Sequence, residues 1–180
     1  MGVFIVIEPT GYWTFFCNPQ KWRIDDFLLS GEIYDTFSIA NHHKDYFEKG
    51  QLGVIRVGRD RRSKKQLAGK PRLNPGIYAI VEILDKPQLM KSTKNDYWEN
   101  IEDSEKIRYR VPIKYVKNLI RTLILLEELN LNNAKYDKYL IEGLQASTMP
   151  LNPLAFQDIV SKIGGIDELE LEFNQRTYGK

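Results

Sequence analysis

Seven cationic side chains crowd the fourteen residues from Arg59 to Arg72: Arg59, Arg61, Arg62, Lys64, Lys65, Lys70 and Arg72, opposed only by Asp60. A solvated face is the default for any charge run. The chain as a whole is nearly neutral, with a formal net charge of +2 from 26 Lys and Arg against 24 Asp and Glu. Against that background the run reads as a phosphate-binding arm whose affinity falls with added salt. His43 and Lys44, beside His42, add a second phosphate contact if a helix starts there.

Other residue types exclude chemistry. Cys17 is the only cysteine; it lies in an apolar run with nothing nearby to lower its pKa, and reads as a small hydrophobe. It also rules out an internal disulfide framework, which fits a reducing cytoplasm. Gly58-Arg59-Asp60 lacks the glycine pattern and the Lys-Ser/Thr of a phosphate-binding loop. Glu127 and Glu128 sit opposite a leucine face, as solvated acids do. Adjacent His42 and His43 point in different directions on a helix, so no metal is expected. No cofactor, no catalytic residue and no enzymatic role are expected. No window approaches the ~20 apolar residues of a membrane span.

The elements that must position these groups follow from pattern. Tyr12 to Cys17 is aromatic and β-prone and stops at Asn18-Pro19. Asp25 to Leu29 reads as a short helix with acids at its start and Gly31 beyond its end. Asn41 to Glu48 reads as a second. Leu52 to Gly58 and Gly76 to Leu84 are strands, while Arg59 to Arg72 has no apolar period and reads as a mobile loop. Arg108 to Val116 alternates with period two, which places Pro112 at an edge or bulge. Leu119 to Leu131 and Asp137 to Leu144 read as two packed helices. Ser147 to Pro150 is extended, and Leu154 to Ile163 is a final helix closed by Gly164-Gly165. Strands mixed with helices in this order predict an α+β fold, a small curved or barrel-like β-sheet flanked by helices.

The run Tyr12-Trp13-Thr14-Phe15-Phe16-Cys17-Asn18-Pro19-Gln20-Lys21-Trp22 resembles the opening strand and turn of EVE-domain proteins. Tyr34-Asp35-Thr36-Phe37, Asn41-His42-His43-Lys44, Gly50, Leu52 to Ile55, Gly76 to Ile83, Arg108 to Val111 and Ser147 to Pro150 follow in the order of the EVE and YTH domains of the PUA superfamily. The resemblance spans roughly Gly11 to Ile163. It implies one modified-base-binding domain over residues 1–166, with a helical insertion near 119–144 and a linker or tail over 167–180. In that family Tyr34 stands where the pocket residue is often Trp.

The resemblance further implies a nucleic-acid-binding module that takes one flipped, methylated base into an aromatic pocket, N6-methyladenine being favoured. It also suggests the N-terminal DNA-recognition domain of a McrB-type modification-dependent restriction subunit, with a GTPase motor on the same parent chain. On it, Tyr34 forms one wall of the pocket and Trp98 or Tyr97 the other, and stacking of this kind is worth ~1–3 kcal/mol per base. Asn18 is the natural contact for the base edge, because an amide both donates and accepts; before Pro19 it is equally a turn residue. Trp13 and Cys17 belong to the same candidate pocket, with the apolar core as the competing place for each. Alternatives are an RNA-binding PUA-like module, an enzyme on that scaffold, or a protein-interaction domain without base specificity, the last favoured if the Leu119 to Leu144 face is exposed.

Overall fold

A computed structural model describes residues 7–129 and 136–163. The aromatic run forms β1 (Tyr12–Cys17), and β2 (Tyr34–Ser38) follows α1 (Ile24–Ser30). Gly31 closes that helix in the left-handed region at φ 78°, a conformation that glycine adopts at little cost. A 3-10 turn at Asn41–His43 replaces the second short helix. Next come β3 (Leu52–Val57), α2 (Lys64–Leu67), β4 (Gly76–Ile83) and β5 (Gln88–Met90), then α3 (Ile101–Glu105) and the long β6 (Arg108–Asn118). The chain continues through β7 (Ile124–Leu125), α4 (Leu126–Leu129), α5 (Lys138–Glu142), β8 (Thr148–Pro150) and α6 (Pro153–Lys162).

The strands form one mixed sheet in the order β2-β6-β4-β3-β1-β8, with β5 beside β6 and β7 beside β4. Only β1 and β3 run parallel among the register pairs. The sheet curls into a half-barrel, as the α+β reading predicts. Its two ends meet where Ala40 N–H donates to Thr148 Oγ1 at 3.3 Å and His43 Nδ1 lies 2.9 Å from the same hydroxyl. Trp13, Phe15, Phe27, Ile55 and Val81 fill the inside of the curl, and α6 packs Phe156 and Ile159 on the outside against Val54 and Ile80. Strands covered on both faces are apolar at nearly every position, which is why β3 and β4, Arg56 and Glu82 apart, do not alternate.

Three expectations are corrected. The basic stretch is not a mobile loop: it holds α2, whose N-terminus carries a Ser63/Gln66 capping box, and its Arg62 is sealed inside the protein. Leu119 to Leu131 is not one helix across its described part. Ile124 and Leu125 pair with Ile77 and Gly76, and only Leu126–Leu129 is helical. Leu126, Leu129 and Leu140 of the Leu119 to Leu144 stretch are buried in the second core, so the exposed leucine face that would favour a protein-interaction domain is not found among them. Pro112 sits inside β6 between two neighbours, not at an edge. It is tolerated because its carbonyl accepts from Leu84 N–H, one residue past the end of β4, so its missing donor falls where that ladder stops. Gly164-Gly165 and the 167–180 tail lie outside the described residues.

Candidate functional site

Between the free edge of β2 and the end of β1 the half-barrel opens into a cleft of about 700 Å³. Phe16, Cys17 and Asn18 line one side, Asp35 to Ser38 the other, and Trp98 stands over it. Polar contacts fix the Trp98 loop, with Tyr97 and Trp98 also packed against the core. Its indole Nε1–H donates to Ser92 Oγ at 2.8 Å, its carbonyl accepts from Arg23 Nη1 at 3.3 Å, and Glu99 N–H donates to Lys21 O at 2.9 Å. Below it, the Arg110 guanidinium lies 5.9 Å from the Trp98 ring centre and donates to Thr36 Oγ1 and O at 2.8 and 2.6 Å. Arg56 makes a similar arrangement across the cleft, 5.7 Å from the Phe16 ring, with Nη2 donating to Ile141 O at 3.1 Å and Nε to Leu140 O.

Asp35 is the group that the surroundings treat most unusually. Strand alternation turns Tyr34 outward, 54% exposed, and Asp35 inward, 6% exposed. Burial pushes the Asp35 carboxyl up to about 7, against the opposing pull of the Thr36 backbone N–H and the Arg110 and Lys94 charges. Its Oδ1 is buried with no hydrogen-bond partner among the described residues. An orphaned oxygen of this kind is costly unless a ligand or water completes it. Near neutral pH this carboxyl is divided between a form that only accepts and a form that also donates.

The sequence-derived site residues divide. Trp98, Asn18 and Cys17 line the cleft, as do Arg59 and Arg61. Asn18 Oδ1 is engaged by the Gln20 N–H at 3.0 Å, the turn role that competes with base contact. The Cys17 thiol is pushed far above its usual value, by burial first and then by the Asp25 and Asp35 charges, so it stays protonated and is no nucleophile. Trp13 is a correction: it is fully buried, stacked on Phe47 at 3.8 Å, with Nε1–H donating to Gln51 Oε1. Tyr34 is 54% exposed and is not among the residues that line the cleft. Tyr97 packs edge-on against Phe27 and donates its hydroxyl to Glu32, so it braces the loop from behind.

The basic arm is corrected in the same way. Arg62 bridges Asp60 at 2.9 Å and Asp25 at 3.1 Å with 1% of its side chain exposed. Burial would raise Asp60, but its hydrogen bonds from Arg62 and from the Leu73 N–H hold it at about 2. Lys70 is paired with Asp26 at 2.8 Å, and Arg72 Nη1 donates to the Asp60 and Arg62 carbonyls. Lys64 and Lys65 are exposed on α2, outside the cleft lining. His43 is buried against Thr148, and its pKa is pushed down to about 4 by burial and then by His42, so it carries no charge for a phosphate near neutral pH. Lys44 lies over Tyr109, 4.8 Å from the ring centre.

Asp35, Arg110, Arg56, Arg108, Lys21 and Phe37 line the cleft without having been singled out for the site. None of them had a sequence signal, because no strand is expected over Tyr34–Ser38 and the others meet only through the curl of the sheet.

This cleft lies in a chain whose residues 11–162 match the EVE domain model. The chain belongs to the EVE domain family. No curated protein sequence matches this EVE domain. Solved structures do, at low identity. A hypothetical protein from Leishmania major aligns with a TM-score of 0.54 at 16% identity, over 83% of this chain and 92% of that one. Rpa0253 from Rhodopseudomonas palustris aligns with a TM-score of 0.53 at 18% identity, over 87% and 94%. The DUF55 domain of human thymocyte nuclear protein 1 aligns with a TM-score of 0.51 at 15% identity, over 87% and 99%. At these identities the likeness establishes the PUA/EVE-like fold. No helix among the described residues is long and apolar enough to cross a membrane.

Proposed function

We propose that this EVE domain reads a modified nucleobase, N6-methyladenine foremost, turned out of DNA into the cleft. The observation that carries the reading is the pairing of a fixed indole wall, Trp98, with the orphaned buried oxygen of Asp35 in one cleft. A base offers a π-face to the first and a hydrogen-bonding edge to the second. A methyl group adds apolar surface worth on the order of 1 kcal/mol when buried. Charge supports a nucleic-acid ligand: the cleft is lined by six cations, Lys21, Arg56, Arg59, Arg61, Arg108 and Arg110, against two acids, Asp35 and Asp103. That excess of four exceeds the +2 of the whole chain, so the field is local to the cleft.

In this reading residues 1–166 are the base-binding domain, and 167–180 join it to the remainder of a longer parent chain. That parent is a modification-dependent restriction subunit with a GTPase motor, the setting that the McrB-type resemblance implies. The domain itself binds and does not catalyse.

The test is a titration of fluorescent DNA duplexes that carry one N6-methyladenine, one 5-methylcytosine or no modification, at two salt concentrations. Tighter binding to the N6-methyladenine duplex, lost in Trp98→Ala and kept in Tyr34→Ala, is expected. Preference for 5-methylcytosine would reassign the base. Equal binding to all three would leave only a cationic groove, and preference for single-stranded RNA would replace DNA as the partner.

A further inference from the structure

Hydrogen bonds between β2 and β6 fall at alternate residues. Tyr115 N–H donates to Ile33 O at 2.7 Å and Ile39 N–H to Tyr109 O at 3.0 Å. With Asp35 opposite Ile113 and Phe37 opposite Val111, the odd-numbered residues of β2 face the ladder. Thr36, Ser38 and Ala40 therefore turn their N–H and C=O groups the other way, off the edge of the sheet. The protein's own side chains take two of these three. Ala40 N–H is held by Thr148 Oγ1, and Thr36 O accepts from Arg110. Ser38 stands between them, lines the cleft, and among the described residues its outward N–H and C=O have no partner.

An N–H and a C=O side by side on one extended residue are what an edge strand offers to a further strand. We propose that this backbone pair of Ser38 reads the edge of the base, its C=O accepting the exocyclic N–H and its N–H donating to the adjoining ring nitrogen. The inference rests on the modified-base reading above. It sets a rule for the ligand: an amine with one methyl keeps one N–H and pairs, whereas an amine with two methyls has none and leaves the Ser38 carbonyl unsatisfied inside the complex. The hydroxyl of Ser38 takes no part.

Proline tests this without breaking the sheet. Ser38→Pro removes an N–H that no ladder bond uses, and Phe37 before it is already extended, as a residue preceding proline prefers. Ser38→Ala removes the hydroxyl alone. The probes are fluorescent DNA duplexes with one adenine, one N6-methyladenine or one N6,N6-dimethyladenine, titrated alongside thermal melting of each variant. Expected are wild-type affinity in Ser38→Ala, an unchanged melting curve in Ser38→Pro with about tenfold or greater loss on the N6-methyladenine duplex, and dimethyladenine bound by the wild type no better than adenine. A Ser38→Pro protein that melts and binds as the wild type does overturns the assignment while the reader stands. If Ser38→Pro does not fold, dimethyladenine bound by the wild type as tightly as N6-methyladenine overturns it instead. A wild type indifferent to methylation removes the reading beneath it.

Discussion

Arg61 and Arg62 are adjacent in sequence and opposite in circumstance: Arg61 lines the open cleft, while Arg62 is sealed between Asp25 and Asp60 with 1% of its side chain exposed. One charge is available to a ligand and the other is spent on holding the arm in place.

The two arginines are expected to respond to mutation in different measurements. Arg61→Ala, and Arg59→Ala beside it, leave the melting temperature unchanged and each lower the salt dependence of DNA binding by about one unit of slope. Arg62→Ala leaves buried Asp60 without its cation and Asp25 with only Lys70 at 3.5 Å, and costs about 3–5 kcal/mol of stability, read from denaturant unfolding. A folded, stable Arg62→Ala protein with a reduced salt slope would contradict this division of labour.

Trp98 acts through its face and Ser92 through the orientation it imposes on that face. Trp98→Ala removes a stacking wall worth ~1–3 kcal/mol, a loss of about tenfold or more in affinity for a modified duplex. Ser92→Ala deletes the acceptor of the indole N–H and is expected to weaken binding less than Trp98→Ala, with a shift in indole emission that Tyr34→Ala does not produce.

Asp35 gives a pH signature with a definite sign. Its folded-state pKa is raised, so burial of the ionised form is paid in stability only above the unfolded value of 3.8, and the cost grows until pH passes about 7. Asp35→Asn is therefore expected to match the wild type near pH 4 and to exceed it at pH 8 by on the order of 4 kcal/mol, a displacement of about three units at about 1.4 kcal/mol each. Chemical denaturation at the two pH values checks it, and equal stabilities at pH 8 would show that the carboxyl is solvated.

The arm of the barrel that closes on itself is expected to depend on one hydroxyl. Thr148→Val keeps the shape and removes the acceptor of Ala40 N–H together with the partner of His43 Nδ1. A loss of about 1–3 kcal/mol follows from leaving these groups unpaired, and amide exchange at Ala40 should quicken in proportion.

Local pattern carried most of the strands. The runs from Tyr12, Leu52, Gly76 and Arg108 are long and β-prone enough that no other element competes. It failed where partners are remote. Nothing near Arg62 shows that Asp25, on a helix formed thirty-seven positions earlier, will neutralise it, so a basic stretch reads as solvent-facing. Leu123 to Leu126 suits a helix or a strand equally, and pairing with Ile77 and Gly76 decides for a strand at Ile124 and Leu125 alone. At the site a single position mattered. The resemblance points to Tyr34, which is exposed, whereas its neighbour Asp35 is a buried residue of β2 that lines the cleft. Trp98, Asn18 and Cys17 were in view from the sequence, whereas the Arg110 and Arg56 walls needed the curl of the sheet to bring distant strands together.

The Asp25–Arg62–Asp60 anchor has a kinetic corollary. A cleft rim already ordered in the free protein asks for no folding step when DNA arrives, so encounter is governed by charge and diffusion alone. On the proposed reading, modified and unmodified duplexes associate at the same rate, and discrimination is expected in residence time, longer for the methylated duplex.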